Sequence, residues 1–507
     1  VLSLILTSVA LLRAEDQRPN ILFLFTDDQP QNCLGIMGNK EIKTPNLDRL
    51  ARKGTFFNNA FVTTAICCSS RASILTGQHM YRHGVTDFKK TLTAEAFQQT
   101  YPALLRSAGY RTGYLGKYAI GNPGAHPPEL CLPADQFDEW YGFPQRIDFK
   151  QVIDGKTRFL TEVMTEKAIS FLESAEPEKP FCLTVAFKEP HGPFNYFDPK
   201  VTNIYKDVDI TPPSTFSEKA WNAQPEFIRK SLNGDDSVAK LRKNDSYQKT
   251  LRTFYRTVSR ADMAVGEILK ALERLGLDEN TVVIFSSDHG SLLGDHGLFG
   301  KWLMYENSIR VPLIIYDPRL DPKIAAGRRD EIALNIDLAP TMLALAGIEV
   351  PSGMQGRNLM PVVRGDSTEW RSSFYYQHTY NTNPPRSPIA KTEGIRTKRW
   401  KYIRYPDEKP VFEQLFDLEA DPLEQTNLAL DQANIATLSE LREECDDESQ
   451  IKQAFRLDQF GGLKALATTP SPFFRLARFG ERDFLVTPEG YGYVALGINH
   501  LSALSRA

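Results

Sequence analysis

Pro19-Asn20-Ile21-Leu22-Phe23-Leu24-Phe25-Thr26 is a continuous apolar run that ends abruptly in Asp27-Asp28-Gln29. A strand that is apolar on both faces belongs inside a parallel sheet covered by helices on each side. Two carboxylates at its carboxyl end stand where open α/β sheets place their ligands. Oxygen donors of this kind suit Ca²⁺ or Mg²⁺. Taken alone, the acidic pair also reads as a solvated turn. Two further stretches argue against that. Phe181-Cys182-Leu183-Thr184-Val185-Ala186-Phe187 leads into Lys188-Glu189-Pro190-His191, and Thr281-Val282-Val283-Ile284-Phe285-Ser286-Ser287 leads into Asp288-His289-Gly290. Three buried strands ending in acid or histidine imply one site at one sheet edge. The fold class expected is α/β, a central mixed and mostly parallel sheet flanked by helices.

The segments between these strands fit that plan. Helices are expected over residues 101–109 and 160–175, with a strand at 110–115 between them. From Leu251, apolar residues at Phe254, Val258, Ala261, Val265, Ile268, Leu272 and Leu275 alternate three and four apart, the mark of an amphipathic covering helix. Residues 195–245 are polar and turn-rich and read as a long insertion near the substrate mouth. A helix from Asn335 to Gly347 closes the main domain, residues 19–370. Beyond it, short aromatic strands at 373–377, 394–397, 400–405 and from Gln414 predict a small antiparallel subdomain over 371–447, with a helix near 431–444. Residues 448–507 have no role assigned by the sequence.

The chain has 507 residues, 41% hydrophobic and 24% charged, with a net charge of −3. These values are ordinary for a globular protein and give no electrostatic footprint for nucleic acid. Residues 1–14 form an apolar run too short to span a bilayer. It fits the h-region of a truncated signal peptide, with Ala14 as the cleavage end. Export to the periplasm or the extracellular space is therefore expected, with no transmembrane segment. Six cysteines, Cys33, Cys67, Cys68, Cys131, Cys182 and Cys445, do not make a disulfide framework at this length.

Cys67-Cys68-Ser69-Ser70-Arg71-Ala72-Ser73-Ile74-Leu75-Thr76-Gly77 is the densest local pattern in the chain. It can start a helix, with Ser69 or Ser70 as N-cap and Gly77 as a stop. Cys67 then lies just ahead of a helix N-terminus, where backbone N–H groups favour an anion. Arg71, one turn on, can fork onto the same anion. An isolated Cys-Cys pair would read as two buried free thiols. The cysteine, arginine and Thr-Gly at these spacings are accompanied by Gly116-Lys117-Tyr118, His191, Asp288-His289-Gly290 and Gly300-Lys301. Trp400-Lys401-Tyr402 and Leu415-Phe416-Asp417-Leu418 follow. Together, over roughly residues 19–445, they resemble the type I, formylglycine-dependent sulfatases of the alkaline phosphatase superfamily. The likeness leans toward N-acetylglucosamine-6-sulfatase-like and arylsulfatase-type members.

The resemblance implies oxidation of Cys67 to 3-oxoalanine (formylglycine) by a maturation enzyme. The hydrated aldehyde then attacks a sulfate ester. It also implies a divalent metal, Ca²⁺ or Mg²⁺, held by Asp27, Asp28, Asp288 and His289 together with position 67. Arg71, Lys117 and Lys301 would stabilise the transferring group, and Lys301 or His191 would protonate the leaving alcohol. Two positions depart from the family pattern: Ser69, where Pro or Ala is usual, and Ala119, where many members carry a histidine. His83 is the candidate to replace that histidine. The substrate implied is a sulfated sugar or polysaccharide. Two other readings share the same residues: a phosphonate or phosphodiester hydrolase, and a glycan-binding pseudoenzyme with Cys67 unmodified.

Overall fold

In the computed structural model the apolar run becomes strand β1 (Asn20–Asp27), and it lies at the middle of the molecule's largest sheet. Residues 18–124, 126–193, 198–366, 369–382 and 386–454 are described, with strands at 463–467, 475–479, 482–486 and 491–493. The leader, residues 1–14, lies outside the described residues. The other strands of the sheet are β2 (Thr55–Phe61), β3 (Arg111–Lys117), β4 (Glu139–Phe143), β5 (Phe181–Pro190), β6 (Thr281–Ser287), β7 (Ile314–Tyr316) and β8 (Gly327–Leu334). Their order is β8-β2-β7-β6-β1-β5-β3-β4. β1 runs parallel to β5 and β6, and β3 runs parallel to β5 and β4. β7 runs against both of its neighbours. The sheet is mixed and mostly parallel, as the apolar runs require.

Side chains of β1 alternate between two cores, as a period of two dictates. Ile21, Phe23 and Phe25 enter one core, while Leu22 and Leu24 enter the other. Five helices matter for the covering layers: α1 (Pro45–Lys53), α2 (Cys67–Thr76), α3 (Leu160–Glu173), α4 (Asn244–Arg274) and α5 (Leu338–Leu345). The first core takes Cys68, Ala72 and Leu75 of α2 and Leu338, Met342 and Leu343 of α5. The second takes Leu47 and Leu50 of α1, Met164 and Phe171 of α3, and Val265 and Ile268 of α4. The expected amphipathic helix is therefore α4, begun two turns earlier than its apolar pattern shows. The insertion at 195–245 packs largely on itself and on α4, through Tyr205, Ile210 and Val238 against Tyr247, Phe254 and Val258.

A small antiparallel sheet follows in the order β9 (Ser373–His378), β10 (Thr392–Thr397), β11 (Trp400–Tyr405) and β12 (Phe412–Asp417). The chain divides into two compact units, one up to Asp431 and one from Gln432 onward. The second holds the helix Ile435–Ala454 and a four-stranded antiparallel sheet. Among the described residues no helix is long and apolar enough to cross a membrane. All six cysteines are buried and none is in a disulfide.

Candidate active site

Sheet order builds the site. Because β6, β1, β5 and β3 lie side by side in parallel, their carboxyl ends place Asp288, Asp27, His191 and Lys117 along one edge. Asp28 is turned out of the strand by a left-handed backbone, φ 77°, which brings its carboxylate back toward the same point. Asp27, Asp288 and His289 are fully buried, and Cys67 is 1% exposed.

α2 supplies the centre. The helix begins at Cys67 itself, with Ile66 as its N-cap, not at Ser69 or Ser70. Both serines are spent on tertiary contacts: Ser69 Oγ donates to the Val85 carbonyl at 2.6 Å, and Ser70 Oγ donates to the Asp288 carbonyl. Neither is left to cap the helix. Cys67 thus occupies the first turn, where N–H groups lack an intrahelical partner. Gly77 ends the helix in the left-handed conformation, φ 64°, a position that favours glycine.

Around the Cys67 sulfur stand His289 Nε2 and Lys301 Nζ at 3.3 Å, Asp27 Oδ1 at 3.4 Å and Lys117 Nζ at 3.5 Å. Lys117 pairs with Asp27, and Lys301 pairs with Asp28 at 2.5 Å. Arg71 Nε donates to Asp288 at 2.9 Å, and its second arm donates to the Lys117 carbonyl. Burial alone would raise the Asp27 carboxyl, but Lys117, His191 and Arg71 hold it well below the usual carboxylate range. Burial likewise opposes charge on His289, yet Asp288 beside it raises the ring to about 9. Burial disfavours the Lys301 ammonium, which Asp28 and Cys67 nevertheless keep protonated.

Asp27, Cys67, Asp288 and His289 can offer ligand atoms all within 4.8 Å of one another, and so can Asp27, Asp28, Cys67 and His191. Each set offers two carboxylates, hard oxygen donors that fit a divalent cation, beside a histidine nitrogen. His289 Nδ1 is engaged with the Gly290 carbonyl at 2.9 Å, which turns Nε2 toward Cys67 and leaves a donor nitrogen on the inner side.

Nine of the ten residues that the sequence nominates for the site meet here. His83 does not. Its Nε2 meets Ser73 Oγ at 3.1 Å and its Nδ1 accepts from the Val85 N–H at 3.1 Å, so both nitrogens are engaged outside the sulfur's surroundings. Ala119, in a left-handed conformation with φ 57° and 1% exposed, offers no titratable group. Loop residues that show no periodic signal complete the walls: Asp87, Phe88, Arg146, Trp302, Tyr380 and Arg386 line a cavity of about 760 Å³ that opens onto Cys67, His191 and Lys301. Of the 195–245 insertion, Leu232 alone lines it among the described residues. Trp302 directly follows Lys301, an adjacency visible in the sequence.

The chain resembles known proteins along most of its length. The sulfatase family model matches residues 19–348, and the model of the N-sulphoglucosamine sulphohydrolase C-terminal region matches 294–451. The chain is 32% identical over 476 residues to an N-acetylglucosamine-6-O-sulfatase of Bacteroides thetaiotaomicron, covering 82% of this chain and 83% of the relative. It is 29% identical over 453 residues to an arylsulfatase of Clostridium perfringens, covering 81% and 90%. The solved structure of BT4656 with its substrate D-glucosamine-2-N,6-O-disulfate superposes with a TM-score of 0.72 at 29% identity, covering 86% of this chain and 98% of that one. The chain belongs to the sulfatase family of the alkaline phosphatase superfamily and is a sulfuric ester hydrolase.

Proposed function

We propose that the protein hydrolyses sulfate esters on a sulfated carbohydrate, an amino sugar sulfated at O6 being the first candidate. The observation that carries this is the convergence of Lys117, Lys301, His289 and Asp27 on the Cys67 sulfur, each within 3.5 Å. The sugar class is supported by the relatives named above.

Cys67, converted to formylglycine by a maturation enzyme and hydrated, supplies an oxygen nucleophile where the thiol now stands. Asp27, Asp28, Asp288 and His289 would hold Ca²⁺ or Mg²⁺, which supplies positive charge for sulfate oxygens. Arg71 fixes the Asp288 carboxylate and stiffens that cage. Lys117 and Lys301, already aimed at position 67, stabilise negative charge that grows on the transferring group. Of the two candidates for the leaving alcohol's proton, His191 is better suited. Its Nδ1 is held by the Gly192 carbonyl at 2.8 Å, leaving Nε2 toward Asp28 at the cavity floor. The apolar run at residues 1–14, read as a truncated signal peptide, supports export outside the cytoplasm.

The deciding experiment uses protein from its own host. Sulfate release from N-acetylglucosamine-6-sulfate is compared with turnover of a matched phosphodiester, and the peptide ending at Arg71 is read by mass spectrometry after hydrazine trapping. An aldehyde at 67 with sulfate release is expected, and chelation should abolish turnover. Phosphodiester turnover without sulfate release points to a phosphodiesterase. A plain thiol with no turnover of either points to a glycan-binding protein.

A further inference from the structure

Asn233 belongs to the 195–245 insertion, is fully buried and does not line the cavity over Cys67. Its backbone runs beside the short strand Phe299–Gly300 that leads to Lys301, and the Phe299 N–H donates to the Asn233 carbonyl at 3.0 Å. Both hydrogens of its side-chain amide are engaged with the same segment. Nδ2 donates to the Phe299 carbonyl and to the Lys301 carbonyl, each at 2.8 Å. The Leu232 N–H donates to the Pro388 carbonyl at 2.8 Å and anchors Asn233 from the other side. Among the described residues the amide oxygen meets no donor. A buried acceptor without a partner is destabilising, so the two donors are what this side chain contributes.

The segment held in this way is strained. Lys301 lies between Gly300, φ 85°, and Trp302, φ 80°. Glycine adopts that left-handed backbone freely. For a bulky aromatic residue it is an outlier, which persists only where the surroundings over-determine it. Here two successive carbonyls are pinned. Asn233 binds that of Lys301, and Tyr376 Oη donates to that of Trp302 at 2.6 Å. The same hydroxyl accepts from the Ala65 N–H at 3.2 Å, two residues ahead of Cys67. Tyr376 is fully buried in β9. The turn is thus tied to the insertion on one side and to the approach to α2 on the other. From it Lys301 Nζ reaches the Cys67 sulfur at 3.3 Å, and Trp302 lines the cavity.

We propose that Asn233 and Tyr376 are positioning residues that hold the Lys301–Trp302 turn in its left-handed form, so that the insertion acts on turnover through Asn233 without touching substrate. A lysine carries its ammonium on a flexible four-carbon stem, and its place beside position 67 depends on a fixed backbone. Asp28 holds the tip of that stem at 2.5 Å, but an ion pair at the tip does not set the backbone angles of the next residue. The proposal rests on the reading above that Lys301 stabilises the transferring group.

Kinetics on N-acetylglucosamine-6-sulfate and crystal structures of full-length variants test it. Asn233→Ala and Tyr376→Phe should each lower kcat roughly 10-fold to 100-fold, as a misplacement of about 1 Å does. Added to Lys301→Ala, either should lower kcat by less than about two-fold further, because both act through the same ammonium. In the crystal structures Trp302 should leave its left-handed conformation and Lys301 Nζ should withdraw from position 67. Tyr376→Phe keeps its ring in the core and carries the test where Asn233→Ala fails to fold. An unmoved turn, a kcat within about two-fold of the unaltered protein, or losses that add fully to that of Lys301→Ala overturn the proposal. An unchanged kcat in Lys301→Ala itself would defeat the reading of Lys301. The turn in the two crystal structures then decides by itself whether Asn233 and Tyr376 hold it.

Discussion

Two clusters of buried charge lie in the same unit of this molecule, and they are built differently. One surrounds Cys67. The other joins the small sheet to the loop after β6. There, Glu306 meets Arg396 at 3.0 Å and Lys401 at 2.7 Å, Lys401 meets Glu424 at 2.6 Å, and Glu424 accepts the Glu306 N–H at 2.9 Å. No side-chain polar atom of Glu306, Arg396, Lys401 or Glu424 is buried without a partner. At Cys67 the Arg71 Nη2 is buried with no hydrogen bond, only an ion pair to Asp27 at 3.7 Å, and Cys67, His191 and Lys301 open onto a cavity. The Glu306 cluster also borders a cavity, of about 610 Å³, but its hydrogen bonds are filled and rigidify a junction, whereas the Cys67 cluster keeps donor capacity in reserve for an anion. Neither perturbed charge nor a neighbouring cavity alone marks an active site. Unspent hydrogen bonds among the charges do.

Mutations should separate the two clusters. Cys67→Ala should lower sulfate-ester turnover by about 10⁴-fold or more while the melting temperature stays put. Measurable activity in a protein confirmed free of wild type would break the contrast. Lys401→Ala leaves two buried carboxylates short of a cation. It should cost about 3–5 kcal/mol in denaturant unfolding, with kcat of the folded fraction retained. Lys301→Ala should behave oppositely, losing roughly 10²-fold to 10³-fold in kcat with a smaller stability change than Lys401→Ala.

A pH experiment sharpens the comparison. His378, at the end of β9, is 1% exposed, and burial pushes its pKa down to about 3. Its unfolded value is about 6.5, so below that pH the unfolded chain takes up the proton first. The stability it contributes is complete above pH 6.5 and falls away as pH drops toward 3. The loss is on the order of 5 kcal/mol, and His378→Met should flatten that part of the stability profile. The smallest effect is expected at His83. Removing its bond to Ser73 with His83→Ala should cost about 1 kcal/mol and leave kcat within about two-fold. A stalled turnover there would restore His83 as the base that Ala119 lacks.

How much the sequence revealed follows from which physics it encodes locally. Burial on both faces is written into consecutive residues, so β1, β5 and β6 and their terminal acids and histidines were legible. Distant hydrogen bonding is not. Ser69 and Ser70 look like helix caps until Val85 and Asp288 claim their hydroxyls. His83 follows Thr76-Gly77 closely, but the left-handed turn at Gly77 and the short helix Met80–His83 direct its ring to Ser73. Arg146 comes from one loop and Tyr380 and Arg386 from another far along the chain, and only the folded sheet brings them to one mouth.

The pairing of β1 also has a consequence for biosynthesis. Ile21 is paired with Cys182 on one side and with Val282 on the other. At ribosomal speeds of about 5–20 residues per second, β1 waits on the order of 10 to 50 s after its own synthesis before its second neighbour exists. Throughout that interval this apolar strand keeps at least one open edge, so a nascent chain stalled before β6 is the form most in need of chaperone shelter.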